Sequence, residues 1–175
     1  MLICQFCFDE NIDGAEHCEN CGQPLDDSHL RPPMTAAERS LLQDRVSRLG
    51  PKEAVTVTPT TPVGDVLRLM VERKIGCVVV ARGARPVGIF SERDALRKLG
   101  TSAAELSPRP VSEFMTPQPE TMMADAKIAF AVQRMDLGGF RHLPIVEQQG
   151  DLVGVISARD ILQYLTDVMS RGAAV

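Results

Sequence analysis

The chain has 175 residues, of which 44% are hydrophobic and 24% charged, and its formal net charge is −4. This composition is typical of a globular protein with one medium-sized domain and a small appendage. The negative charge disfavours non-specific binding to nucleic acid, which needs a basic surface to displace counterions. Because we find neither a run of about 18 apolar residues nor an apolar segment after Met1–Ile3, we expect no membrane span, no signal peptide and a cytoplasmic protein.

Four of the five cysteines lie near the start of the chain as two Cys-x-x-Cys pairs, which are Cys4 with Cys7 and Cys18 with Cys21. Without a secretion signal, such pairs favour a metal site over disulfides. Two residues between thiolates place both sulfurs on one side, and two such knuckles close a tetrahedron. The sequence therefore predicts a structural Zn²⁺ site with four thiolate ligands. Free or disulfide-bonded cysteines and an iron redox site are the alternatives.

We assign residues 1–28 to this zinc ribbon, and Cys21–Leu25 resembles the second knuckle of zinc ribbons and rubredoxins. His17 and His29 flank the second pair, but four thiolates already fill the site, so we expect both histidines to be exposed. A closed site leaves no coordination position for a substrate. A segment this short has no core of its own, so metal binding and folding coincide. We expect the ribbon to serve as a docking or oligomerisation surface.

Residues 29–50 are predicted to form a linker and a connecting helix. Leu30–Pro33 contains two prolines, and Thr35–Glu38 carries a capping-box signal. Apolar residues at Leu41, Leu42, Val46 and Leu49 then share one helical face as far as Gly50 and Pro51. We expect a helix that packs on the rest of the chain. A helix that binds a partner or nucleic acid is the alternative.

The rest of the chain uses one motif twice. Residues 88–94 and 154–160 both read Gly-apolar-apolar-Ser-x-Arg-Asp, and similar apolar segments precede both copies. This predicts two repeats, over residues 51–108 and 109–175, each built as strand, helix, strand, turn, strand and helix.

The elements expected in repeat one are a strand at Val55–Val57, a helix at Val63–Glu72, a strand at Ile75–Val80, a hairpin at Arg82–Pro86 and a helical segment at Ala95–Leu99. Repeat two starts at Val111–Met115 and is expected to contain a helix at Asp125–Met135, a strand at Phe140–Val146, a turn at Glu147–Asp151 and a helical segment at Ile161–Leu165.

The two motifs, the strand Leu143–Val146 and the segment Phe114–Thr116 resemble a tandem pair of CBS domains, the cystathionine-β-synthase-type module. The resemblance covers roughly Val55 to Leu165. It implies an α/β fold, with two α+β repeats of βαββα type related by pseudo-two-fold symmetry, next to the small zinc ribbon.

The Ser-x-x-Asp spacing has two explanations. Ser91 and Ser157 are well placed as helix N-caps, with Asp94 and Asp160 in the first helical turn. The same helix start also offers free N–H groups to a phosphate. The resemblance to CBS pairs implies that the aspartate binds a ribose and that the serine faces the phosphate.

Two pockets between the repeats follow from the resemblance. The first takes Arg141 as a phosphate contact, and its residues are Val55, Ile75, Cys77, Arg141, Ser157, Arg159 and Asp160. The second lacks a counterpart of Arg141 because Gly76 stands there, and its residues are Ser91, Arg93, Asp94, Phe140 and His142. We expect Cys77 itself to be a buried apolar residue rather than a nucleophile.

We find no catalytic constellation in the sequence, so we expect a protein that is not an enzyme. The preferred function is a regulatory protein that senses an adenine nucleotide (AMP, ADP or ATP), with the ribbon as a structural or docking module for a protein target. The alternatives are a ligand-free dimerisation adaptor, a sensor of S-adenosylmethionine, and a ribbon protein associated with nucleic acid or redox chemistry. We expect a homodimer through the CBS pair, to which the helix residues Leu67, Met70, Val132 and Met135 are candidate contributors. These residues could equally be core, as we expect for half of them.

Overall fold

The computed structural model describes residues 2–4, 7, 9–12, 15–23, 25 and 36–172. The predicted linker Leu30–Pro33, the capping residue Thr35 and His29 lie outside these residues. In the cysteine-rich segment, strands β1 (Leu2–Ile3) and β2 (Glu10–Asn11) form a short antiparallel pair. Among the described helices, none combines the length and apolarity that a bilayer crossing requires.

The connecting helix is shorter than predicted. Helix α1 spans Ala36–Gln43, and a separate 3-10 turn follows at Val46–Leu49. Between them Arg45 is extended, with φ −92° and ψ 155°, and bridges Lys127. The N–H of Val46 donates to the carbonyl of Ala126 at 2.8 Å, so a hydrogen bond to a distant segment replaces the helical one. The expected single helix through Leu49 is therefore wrong, because tertiary hydrogen bonds interrupt it.

The first repeat follows the predicted order of elements. Its strands are β3 (Thr56–Val57), β4 (Cys77–Arg82) and β5 (Arg85–Ser91), and its helices are α2 (Val63–Arg73), α3 (Glu92–Asp94), which continues as a π-helix over Ala95–Leu99, and α4 (Ala103–Leu106). Strands β3 and β4 are parallel and joined through α2, whereas β4 and β5 form an antiparallel hairpin. Helix α2 ends at Lys74, whose φ of 53° is left-handed, and β4 therefore starts two residues later than expected.

The second repeat repeats this arrangement. Its strands are β6 (Thr116–Pro117), β7 (Met122–Met123), β8 (His142–Val146) and β9 (Leu152–Ser157), and its helices are α5 (Ile128–Gly138) and α6 (Ala158–Gly172). Helix α5 begins three residues after the predicted Asp125, because Lys127 before it is extended with ψ 145°. Strands β7 and β8 are parallel, and β8 and β9 are antiparallel.

Each sheet is completed by the segment that begins the other repeat. Strand β6 of repeat two pairs with β5 of repeat one through Thr116 opposite Ile89. In the same way, Lys52 at the start of repeat one pairs with Val155 of β9, with hydrogen bonds of 2.9 and 3.0 Å. This exchange of edge segments ties the two repeats into one unit.

Each repeat has its own aliphatic core. Repeat one buries Val63, Val66, Met70, Val78, Val80, Phe90, Leu99, Val111 and Phe114. Repeat two buries Val46, Met122, Ala126, Ala131, Met135, Leu143, Ile145, Ile156 and Ile161. Val46, which follows α1, is therefore part of the second core, and α1 packs against α5 and α6.

Candidate functional site

The sulfur atoms of the four N-terminal cysteines meet at one point. The Sγ atoms of Cys4, Cys7, Cys18 and Cys21 all lie within 4.8 Å of one another. The closest pairs join the two knuckles, with Cys4 to Cys21 at 3.6 Å and Cys7 to Cys18 at 3.5 Å. A tetrahedral zinc site with Zn–S bonds of about 2.3 Å requires sulfurs about 3.8 Å apart. The four thiols are free rather than disulfide-bonded, and their spacing fits a metal ion of this kind.

The electrostatics of the cluster also favour a cation. The backbone N–H of Cys21, acting against burial, lowers the pKa of the Cys18 thiol to about 6. Burial, with neighbouring thiols, raises the pKa of Cys21 to about 12. The Cys18 thiolate therefore forms readily, whereas the thiols of Cys7 and Cys21 resist ionising beside it. A divalent metal removes this conflict because it binds thiolates and displaces their protons.

Asn11 supports the cluster and was not singled out by the sequence. Its side chain is 4% exposed, and its Nδ2 donates to the Asp9 carbonyl at 2.9 Å and to Cys18 Sγ at 3.6 Å. Its Oδ1 accepts from the N–H of Glu19 at 3.0 Å. A buried amide that bonds on both sides fixes the second knuckle relative to β2. An asparagine between two Cys-x-x-Cys pairs is equally typical of a turn. The sequence pattern therefore does not identify Asn11 as a residue that supports the metal site.

The first expected pocket includes the turn between β9 and α6. Asp160 Oδ2 accepts hydrogen bonds from the N–H of Ser157 at 2.7 Å and from its Oγ at 2.6 Å. The N–H of Asp160 points back to Ser157 Oγ at 3.4 Å. Burial raises the pKa of Asp160, but the hydrogen bonds from Lys52 and Ser157 outweigh it, and the pKa is lowered overall. The carboxylate is therefore ionised at neutral pH, and its Oδ2 caps the helix start.

Lys52 is the residue of this site that sequence reasoning missed. Its Nζ lies 2.6 Å from Asp160 Oδ1. Its backbone is held against β9 by the bridge to Val155, and a Cβ at Gly154 would lie only 2.9 Å from the Lys52 carbonyl oxygen. Lys52 precedes Asp160 by 108 residues, so only the exchange of edge segments brings the two together.

Arg141 and Arg159 both lie at the start of α6 with exposed side chains. The carbonyl of Arg141 accepts from the N–H of Ala158 at 2.9 Å, which fixes its backbone beside the Ser157–Asp160 turn. His142 lies opposite Ser157 in the β8–β9 ladder. Its Nε2 would be 2.9 Å from a Cβ at Gly76, so the ring of repeat two covers the backbone of repeat one.

The residues expected to form the walls of the first pocket differ in how deeply they are buried. Val55 and Ile75 are half-buried and pack against the core of repeat one. Cys77 is 7% exposed, and burial together with Glu92 raises the pKa of its thiol to about 12. Cys77 is thus a buried, unreactive side chain, as predicted. Repeat one approaches the Asp160 turn through the contact between Gly76 and His142.

The second motif has the same capping geometry but different neighbours. Asp94 Oδ2 accepts from the N–H of Ser91 at 3.0 Å and from its Oγ at 2.6 Å. Its Oδ1 is shared by Lys98 at 2.9 Å and by the Thr116 hydroxyl at 3.1 Å. Lys98 Nζ also donates to the Phe114 carbonyl at 2.7 Å, so this ammonium is held in place.

The remaining residues of the second pocket join the repeats. Arg93 Nη1 donates to the carbonyl of Gly139 at 2.5 Å. The ring of Phe140 covers Gly138 and packs against the core of repeat two. Arg93 therefore reaches the α5–β8 connection, and the polar groups of Ser91, Arg93 and Asp94 are already hydrogen-bonded.

Comparison with known proteins gives a consistent result. The family model described as CBS domain matches residues 35–101 and 111–167. An uncharacterized 17.7 kDa protein of Acidianus ambivalens is 31% identical over 71% of this chain and 74% of its own length. Several curated plant relatives are matched over only 22% to 27% of their length.

Solved structures extend the comparison to the fold. A CBS-domain-containing protein from Agrobacterium tumefaciens has a TM-score of 0.64 and 30% identity over 69% of this chain and 98% of that one. A CBS domain protein from Pyrobaculum aerophilum, complexed with AMP, has a TM-score of 0.61 and 28% identity over 71% of this chain and 99% of that one. With both repeats matched by the family model and the mixed α/β fold shared with these structures, the chain belongs to the CBS-domain family.

Proposed function

We propose that this protein is a regulatory subunit that binds an adenine nucleotide in the Asp160 pocket. The observation that carries the proposal is the ionised carboxylate of Asp160, whose Oδ1 lies 2.6 Å from the exposed ammonium of Lys52. It stands at a helix start whose flanking residues Arg141 and Arg159 are also exposed. A carboxylate accepts hydrogen bonds from the two hydroxyls of a ribose, and a helix start with nearby cations favours a phosphate. The AMP-bound relative from Pyrobaculum aerophilum supports the choice of ligand.

The Asp160 pocket is a better candidate than the Asp94 pocket because a ligand has to break fewer existing hydrogen bonds there. Asp94 Oδ1 already has two partners, and one of them, Lys98, is tied to the carbonyls of Phe114 and Met115. Arg93 is likewise tied to the Gly139 carbonyl. A ligand in that pocket has to break several well-placed hydrogen bonds, whereas a ligand at Asp160 has to displace one exposed lysine.

For the N-terminal segment we propose one structural Zn²⁺ held by Cys4, Cys7, Cys18 and Cys21. The supporting observations are the convergence of the four sulfur atoms and the amide of Asn11 behind Cys18. Such a site has no open coordination position. Its role is to fold a surface on which a protein target docks.

A second candidate function is a ligand-free dimerisation adaptor. It is favoured by the capping geometry itself, because Ser91–Asp94 and Ser157–Asp160 satisfy their helix starts without any ligand. The two functions differ in whether adenine nucleotides stabilise the folded protein, since a ligand that binds only the native state raises the melting temperature.

The test of the nucleotide proposal is calorimetric titration of the parent protein and of Asp160→Asn with AMP and ATP. The asparagine keeps an oxygen at the helix cap but loses the ionised acceptor. Hydrogen bonds to charged groups contribute about 1.5–3 kcal/mol each, so we expect at least about a tenfold loss of affinity. Asp94→Asn is the matched control and should have a smaller effect. Equal affinity of Asp160→Asn and the parent would leave Asp160 as a helix cap and favour the adaptor function.

A further inference from the structure

Lys52 is a residue of the Asp160 pocket that the repeated motif does not contain. Its ammonium lies 2.6 Å from Asp160 Oδ1, and its side chain is 70% exposed, whereas that of Asp160 is 12% exposed. Among the described residues, Nζ has no second partner. A single contact on such an exposed side chain is weak, because exposed ion pairs contribute little and the lysine chain is flexible.

By the pseudo-symmetry of the fold, Lys52 takes the position in the second sheet that Thr116 takes in the first. Lys52 is opposite Val155 on the edge of the second sheet, and Thr116 is opposite Ile89 on the edge of the first. Both side chains reach Oδ1 of the aspartate of the motif on their sheet. The first sheet therefore presents a neutral hydroxyl at this position, and the second presents a mobile cation.

The contact between Lys52 and Asp160 conflicts with ribose binding. Asp160 Oδ2 already accepts two hydrogen bonds from Ser157, so Oδ1 is the oxygen that remains for a ribose hydroxyl. In the structure the ammonium of Lys52 occupies that oxygen. A ligand that takes Oδ1 leaves Lys52 without a counterion, unless the ligand itself brings a negative charge.

We propose that Lys52 makes the Asp160 pocket selective for phosphorylated adenosines, because it leaves Asp160 when the ribose arrives and then binds the phosphate. This inference rests on the proposed nucleotide function and specifies its ligand class. Adenosine displaces Lys52 and offers it nothing in return. S-adenosylmethionine carries one carboxylate against a sulfonium and an ammonium, so it brings a net positive charge to a helix start flanked by the exposed Arg141 and Arg159. The phosphates of AMP and ATP supply a negative charge with which Lys52, Arg141 and Arg159 can pair.

The decisive variant is Lys52→Met, titrated calorimetrically with adenosine, AMP, ATP and S-adenosylmethionine. We expect the affinities to change in opposite directions. Adenosine should bind about two- to fivefold more tightly, because Asp160 no longer has a competing ion pair. AMP should bind about tenfold more weakly, because one charge-assisted contact to the phosphate is lost. Lys52→Arg should retain the preference for AMP over adenosine.

Lys127→Met is the matched control, since it removes the same charge elsewhere. Lys127 precedes α5 at the Val146 end of β8, whereas His142 and the pocket are at the other end. The preference of the Lys127→Met variant for AMP over adenosine should equal that of the parent. Melting curves of all variants check that each is folded.

The outcomes separate the two proposals. If the parent binds AMP and Asp160→Asn weakens it, but Lys52→Met changes adenosine and AMP equally or not at all, the role of Lys52 is overturned and the nucleotide function stands. If the parent binds none of the four compounds, the nucleotide function fails and the role of Lys52 fails with it. If the parent prefers S-adenosylmethionine to AMP, the selectivity proposed here is wrong.

Discussion

The glycine that opens each motif is explained by a close approach of another part of the chain. A Cβ at Gly154 would lie 2.9 Å from the carbonyl of Lys52 and 3.1 Å from Cβ of Pro51. A Cβ at Gly88 would overlap the side chain of Met115 in the same way. Only glycine leaves room for these crossings. The motif glycines therefore position Lys52 and Thr116 against Asp160 and Asp94.

Another single residue, His142, should make the free energy of unfolding depend on pH. Burial, assisted by Arg141, lowers the pKa of His142 below its usual value, while Glu92 and Asp160 act in the opposite direction. The unfolded state then binds a proton more readily than the folded state. The contribution of a neutral His142 is complete above the unfolded pKa of about 6.5 and is lost as pH falls towards the folded pKa.

The measurement is the urea midpoint of the parent and of His142→Gln at pH 7.5 and pH 5.5. We expect the parent to lose more stability between these pH values than the variant does. The aspartates of both motifs have lowered pKa values, so they titrate below this window. The same pH dependence in both proteins would show that His142 titrates normally.

Among the elements, the metal segment is the one that should unfold by itself. Its described backbone hydrogen bonds are internal, such as Cys4 N–H to the Asp9 carbonyl and Leu25 N–H to the Glu16 carbonyl, both involving residues near the ligands. The CBS repeats have separate aliphatic cores. Removal of the metal should therefore destabilise residues 1–28 without destabilising the CBS repeats.

We expect Cys4→Ser to lose the metal and unfold residues 1–28, while the CBS pair keeps its cooperative thermal transition. Native mass spectrometry measures the metal, and calorimetry measures the transition. Cys77→Ser is the matched control, because it changes a buried cysteine of repeat one and should retain one metal per chain. Loss of the cooperative transition in Cys4→Ser would show that the two parts fold together.

Local sequence patterns predicted most helices and strands, because neighbouring residues determine where these elements form. The apolar spacing in Val63–Arg73 and the two glycine-led motifs specify helices and hairpins without reference to distant residues. The interruption after α1 was not predictable, since Arg45 is held by Lys127. Lys52 was missed for the same reason, because its partner is brought near only by the exchange of edge segments.

For the whole molecule, the exposed apolar side chains form a candidate surface for the expected homodimer. Leu96 is 78% exposed and Leu162 is 64% exposed. Each lies two residues after the aspartate of its motif, so the two repeats present equivalent apolar positions on the helices that follow β5 and β9. Val71 and Leu137 are each 77% exposed on α2 and α5. Two equivalent patches on one chain suit a symmetric interface between two copies.

Two of the four helix residues considered for the dimer interface belong to the core instead. Met70 and Met135 are 5% and 7% exposed and belong to the two cores, so they are not available to a partner. Leu67 is half-buried against the core of repeat one, and Val132 is 37% exposed. Leu96 and Leu162 are therefore better targets for a test of the dimer.

We expect the parent to be a homodimer at micromolar concentration and Leu162→Asp to shift it towards the monomer, as measured by light scattering. In a symmetric dimer the substitution buries two carboxylates, each at a cost of about 1–3 kcal/mol, so the dissociation constant should rise at least tenfold. Ile12→Asp is the control, because Ile12 is 69% exposed in the metal segment, which is the other candidate oligomerisation surface. A monomer with Ile12→Asp and a dimer with Leu162→Asp would place the interface on the metal segment. A monomeric parent would exclude the dimer altogether.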